Sequence, residues 1–182
     1  MKKKGLTLFE ALVVVIIFTI LFGLVFEILA TGRRSGDIGT TLQDVQVQAK
    51  QGLENMIREL YESSTSHIYP SPLTNSANIT FQVPIGFDAD GELIWGAEGV
   101  QAQGIRYSIN DQQQLLREII NPYPTGGAVE GGTKVLANFV QSVLFSLPPS
   151  SNTLTISLIS TKESLSWQSF SSALTSAVYL RN

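Results

Sequence analysis

The chain has 182 residues, 43% hydrophobic and 15% charged, with a net charge of −3. That composition excludes a disordered or acidic tail, and the charge balance argues against a nucleic-acid binder working through a broad basic patch. With no cysteine and one histidine, His67, the sequence also excludes disulfide scaffolds, thiol nucleophiles, Cys-based zinc sites and His-rich metal sites.

Apolar residues are concentrated at the start. Lys2, Lys3, Lys4 and Gly5 precede Leu6-Thr7-Leu8-Phe9-Glu10, and residues 11–26 carry no charge. As a helix, residues 6–26 would be about 31 Å long, close to the ~30 Å hydrocarbon core of a bilayer. The lysines favour a cytoplasmic N-terminus, partly opposed by Arg33 and Arg34 beyond the span, so the remainder is expected to be exported. Without its first 30 residues the chain holds 9 basic and 13 acidic side chains, the balance of a mildly acidic soluble domain. Three readings compete: a signal peptide cleaved near Ala30-Thr31-Gly32, a plain signal anchor, and a span in which Glu10 has a task. A carboxylate costs up to about 2.5–3.5 kcal/mol at the centre of a membrane helix, and an intramembrane ionisable residue is a functional hypothesis by default.

This run resembles the cleavage and methylation signal of type IV prepilins and type II secretion pseudopilins. Gly5 matches the last leader residue, Leu6 the first mature residue and Glu10 the fifth; Leu6 stands where Phe is usual, and Phe9 where Ile or Leu is usual. The resemblance implies a leader at 1–5, a transmembrane and filament-core helix at 6–29 and an exported domain at 30–182. It implies cleavage of Gly5–Leu6 by a prepilin peptidase, N-methylation of Leu6, and residence in inner-membrane lipid before assembly with other pilins or pseudopilins. Glu10 would then pair with the Leu6 ammonium of a neighbouring subunit. Two such charges in an apolar bundle are tolerable only when paired, so the pair sets register more than it adds stability.

After the span, residues 31–39 are polar and include Gly32, Gly36 and Gly39, each costing a helix about 1 kcal/mol relative to Ala. A kink or short break is expected there, with a new helix start at Thr41-Leu42-Gln43-Asp44. Leu42, Val45, Ala49, Leu53, Met56 and Leu60 then form one stripe of an amphipathic helix. Tyr69-Pro70-Ser71-Pro72 cannot continue it. Short strands follow: 79–83, a hairpin of 104–109 with 114–120, a second hairpin of 142–147 with 153–159, and a last strand at 175–181. The Gly- and Pro-rich stretch 122–134 reads as an exposed loop. One long helix followed by an antiparallel sheet is an α+β pattern. The runs at 58–60, 79–81, 105–109, 115–117, 135–140, 144–145 and 178–182 resemble the J-type minor pseudopilins and W-type minor pilins.

Other constellations carry less. Asp88-Ala89-Asp90-Gly91-Glu92 has the look of a calcium loop but lacks the EF-hand spacing; Asp90-Gly91 is more simply a tight turn. His67 lies at a helix exit with no catalytic partner in sequence. The sequon at Asn78 is set aside as chance. Trp95, Trp167 and Phe170 are expected to pack in the core or at its edge. The sequence therefore points to a structural filament subunit that initiates or caps a pilus or pseudopilus, with no catalytic residues, metal, cofactor or evident nucleic-acid contact. The alternatives are an anchored exported binding domain, such as a tip adhesin or DNA-uptake pilin, and a secreted hydrolase behind an ordinary signal peptide.

Overall fold

The structure, a computed structural model, describes residues 8–165 and 167–181. It opens with one unbroken helix, α1 (Leu8–Glu62), about 82 Å long at 1.5 Å per residue. The break expected at 32–39 does not occur, and Thr41 is not a helix start. Three glycines cost about 3 kcal/mol together, and the helix runs on through them from its apolar half to the stretch that packs on the sheets. Thr40 adds a local tie, its hydroxyl donating to the Gly36 and Asp37 carbonyl oxygens at 3.1 and 3.0 Å.

A short 3-10 turn (Thr65–His67) leads into β1 (Ile68–Tyr69), β2 (Leu73–Ser76), β3 (Ile79–Phe81), β4 (Val83–Phe87), β5 (Leu93–Gly96), β6 (Gly104–Ile109), β7 (Leu115–Asn121), β8 (Gly127–Ala137), β9 (Val140–Leu147), β10 (Thr153–Glu163) and β11 (Ser169–Tyr179). They form a five-stranded sheet in the order β1-β3-β6-β7-β8, a four-stranded sheet in the order β11-β10-β9-β2, and the β4–β5 ribbon. Every pairing between these strands is antiparallel. Both expected hairpins are present, as β6–β7 and β9–β10. The 79–83 strand is interrupted at Gln82, whose side-chain amide donates to the Gln101 and Gln103 carbonyl oxygens.

The stretch expected to be a loop is the main correction. From Gly127 onward it is β8, an edge strand on β7. Its glycines form a bulge opposite Ile119: Gly131 has φ +75°, and a Cβ on Gly132 would lie 3.0 Å from that of Ile119. Glycine at a bulge serves an edge strand, because it bends the strand and blunts the open edge. The last strand is also longer than expected, running from Ser169.

The C-terminal half of α1 packs on β8, β10, β11 and β4. Its buried stripe is Thr41, Val45, Ala49, Gly52, Leu53, Met56 and Leu60. Leu42, expected in that stripe, is 38% exposed; stepping back four residues from Val45 lands on Thr41 instead. Gly52 lets the helix sit close, since a Cβ there would lie 3.1 Å from both Ala137 Cβ and Leu115 Cδ2. Phe81, Tyr107, Phe145, Leu154 and Ile156 complete the core from the strands. The architecture is α+β and pilin-like: one long N-terminal helix, apolar in its first half, packed through its second half on antiparallel sheets.

Candidate functional site

The apolar half of α1 is solvent-exposed along its whole circumference. Among the described residues, seventeen large apolar side chains from Leu8 to Leu29 are exposed, and α1 is the one helix apolar and long enough to cross a membrane. A helix that is hydrophobic all round needs an apolar environment on every side. At roughly 1.5–3 kcal/mol per fully buried side chain, transfer of this segment into lipid or into a helical bundle is favourable by tens of kcal/mol. Glu10 lies in the first turn described and is exposed, on the same cylinder as Phe9, Val13 and Val14. Gly5 and Leu6 lie outside the described residues.

The other half of the helix is fixed by polar contacts that periodicity did not reveal. Tyr107, fully buried on β6, donates its hydroxyl to Glu59 Oε2 at 2.7 Å. Arg117 on β7 donates from Nε to Glu59 Oε1 and Oε2 at 2.9 and 3.0 Å, and from a terminal nitrogen to Glu98 Oε1 at 3.1 Å. Burial opposes the Arg117 guanidinium charge, but the hydrogen bonds and charge of Glu59 outweigh it and hold its pKa up. Burial, and then the Glu59 carboxylate, push the Tyr107 phenol far above its usual range. One helix carboxylate thus ties α1 to a cross-strand pair of the β6–β7 hairpin, Tyr107 opposite Arg117, in the arrangement that makes a buried charge tolerable. The legible signal was the alternation of β7: Leu115, Arg117 and Ile119 share the buried face, so an arginine there demands an acidic partner.

Two further links follow the helix towards its apolar half. Gln48 Oε1 accepts from the Asn138 backbone N–H at 2.8 Å, fixing the short crossing from β8 to β9. Lys162 on β10 donates to Asp44 Oδ2 at 2.7 Å and lies 4.6 Å from the Phe139 ring centroid.

Asp88 caps a turn, its Oδ1 accepting from the Asp90 and Glu92 backbone N–H groups at 2.9 and 2.8 Å, with Gly91 at φ +83°. Asp90-Gly91 is therefore the tight turn of the β4–β5 hairpin. His67 lies in the turn that follows α1: its ring stacks on Trp95 at 4.1 Å, and its Nδ1 shares hydrogen bonds with the Ser64 and Ser66 hydroxyls, each 3.0 Å. Burial lowers its pKa. Trp167, expected to pack, is 87% exposed at the β10–β11 turn. A cleft of about 430 Å³ near the far end of α1 is lined by Thr65, Ser66, Ser71, Asn152 and neighbouring prolines, with no ionisable side chain.

Comparison with family models, with characterised proteins and with solved structures gives no match.

Proposed function

We propose that this chain is a minor pilin or minor pseudopilin, a non-enzymatic subunit that initiates or caps a type IV pilus or type II secretion pseudopilus. The reading rests on one juxtaposition. A Lys-Lys-Lys-Gly leader and a Leu-Thr-Leu-Phe-Glu start stand directly ahead of an apolar half-helix that runs without interruption into a folded domain. A signal peptide removed near Ala30 would discard that half-helix and has no use for Glu10.

In this reading a prepilin peptidase cuts Gly5–Leu6 on the cytoplasmic side of the inner membrane and the new Leu6 amine is methylated. The first half of α1 then holds the subunit in the bilayer with residues 30–182 exported. On assembly, the apolar helix exchanges lipid for the helices of neighbouring subunits, and Glu10 meets a neighbour's Leu6 ammonium there.

Mass measurement of the mature N-terminus tests this. Methylated Leu6 is expected, and Gly5→Leu should accumulate as precursor, because a side chain at the scissile backbone obstructs the peptidase. A mature N-terminus near Arg33, or normal processing of Gly5→Leu, would refute it.

A further inference from the structure

The β10–β11 hairpin descends alongside the helix. At its open end, Leu180 donates its N–H to the Asn152 carbonyl oxygen and Arg181 donates to that of Ser63, beside the C-terminus of α1. Lower down Lys162 meets Asp44, and at the turn Leu165 and Trp167 line a cleft of about 410 Å³ with Arg33, Arg34 and Asp37. The lengths agree: eleven residues per strand, at about 3.3 Å each, nearly match the helix from Asp37 to Glu62 at about 1.5 Å per residue.

The hairpin turn is therefore held where the apolar span ends. If a ~30 Å hydrocarbon layer is centred on the uncharged run 11–26, Arg33 lies about 7 Å beyond its edge, within the headgroup layer. At that level Leu165 and Trp167 are 89% and 87% exposed. Tryptophan is the side chain enriched at such interfaces, with its apolar ring at headgroup depth. Asp37 Oδ2, in the cleft that Asp37 shares with the two arginines and this apolar pair, is buried with no hydrogen-bond partner among the described residues.

We propose that Leu165, Trp167, Arg33, Arg34 and Asp37 form a phospholipid-binding contact with the membrane that α1 crosses, a second anchor that stands the domain against the outer face of the bilayer before assembly. The guanidinium groups match a lipid phosphate, Asp37 matches the amine of a zwitterionic headgroup, and the two apolar side chains enter the glycerol region. This contact rests on the membrane-spanning reading of α1, and it adds a fixed tilt and rotation of the domain that a lone span does not impose.

The test uses the full chain in vesicles of phosphatidylethanolamine and phosphatidylglycerol. In a Trp95→Phe background Trp167 is the one tryptophan. Its emission is expected to shift to the blue and to be lost in vesicles whose lipids carry bromine near the glycerol end of the acyl chain. Bromine near the chain terminus should quench it less, and Arg33→Gln with Arg34→Gln should restore part of the emission. A parallel chain carrying Trp95→Phe, Trp167→Phe and Phe18→Trp reports the span itself. Quenching at position 18 with none at Trp167 would overturn the lipid contact and leave the span intact. Shielding of Trp167 only after other filament subunits are added would overturn it in favour of a protein contact. An unquenched tryptophan at both positions would defeat the spanning reading and this inference with it.

Discussion

Replacing Glu59 with Gln tests whether the Glu59–Arg117–Tyr107 cluster holds the helix on the sheets. The substitution keeps the shape of the side chain. The amide oxygen can accept from Arg117 Nε, and the Tyr107 hydroxyl can turn to accept from the amide N–H. What disappears is the charge that both donors now face, leaving Arg117 with Glu98, whose side chain is 53% exposed. Complete burial would set the loss at about 3–5 kcal/mol, and a surface pair at about 0.2–1 kcal/mol. Side-chain exposures of 11% for Arg117 and 24% for Glu59 place this pair between those limits, near the ~1.5–3 kcal/mol of hydrogen bonds to charged groups. For a domain of this size that lowers Tm by roughly 4–10 °C. Residues 30–182 suit the assay, because all the buried hydrophobic side chains among the described residues lie between Val45 and Leu180. Urea unfolding of Glu59→Gln, Arg117→Met and the double variant would give the coupling directly. A Glu59→Gln loss below about 0.5 kcal/mol, the size of an ordinary surface change, with no coupling, would refute the reasoning.

Gly52→Ala sets a gain of about 1 kcal/mol in helix propensity against two 3.1 Å contacts, so it should be near neutral, whereas Gly52→Leu should destabilise by at least about 1–3 kcal/mol through overpacking; denaturant midpoints distinguish them. His67 has a lowered folded pKa, so between that value and its unfolded pKa of about 6.5 the unfolded chain binds more protons. The His67 contribution is thus complete above about pH 6.5 and is lost as pH falls through the folded pKa; His67→Gln should flatten the pH dependence of Tm in that window, and an unchanged slope would count against it. In the proposed filament, Glu10→Ala should be processed normally yet recovered poorly with other subunits, since there it would remove one member of a buried ion pair at a cost of about 3–5 kcal/mol, a hundredfold or more in incorporation. Wild-type recovery after membrane solubilisation would remove Glu10 from assembly.

Much of this fold was legible because its periodicities are strong. The stripe from Val45 to Leu60 has helical spacing, and β6, β7, β9 and β10 alternate as half-buried strands. Errors arose where a local rule met a non-local contact. Glycines read as loop in 127–134 because their use at an edge bulge depends on β7, which the local pattern does not contain. Glycines read as a helix break at 32–39 because propensity counts local cost and omits the packing that fixes the helix from Thr41 onward. The partner of Arg117 lies 58 residues away on a helix, and Glu59 looks like an ordinary solvated charge beside Leu60. Trp167 was misplaced for the converse reason: aromatic residues are mostly packed, and its exposure follows from where the β10–β11 turn stops.

The continuity of α1 through Gly32, Gly36 and Gly39 also has a mechanical meaning. A hinge there would let the domain swing freely, and tension on the N-terminal end would straighten the linker first. With none, the helix is a stiff rod, and a pull along its axis reaches the domain undiminished. Asp44–Lys162, Gln48–Asn138 and Glu59–Arg117 are spaced along that rod and join it sideways to β10, to the β8–β9 crossing and to β7. An axial load therefore shears all three together with the packed stripe between them, instead of peeling them one at a time. Such a joint resists more along the axis than across it, so in the proposed filament reading the domain would follow its helix out of a membrane without unfolding.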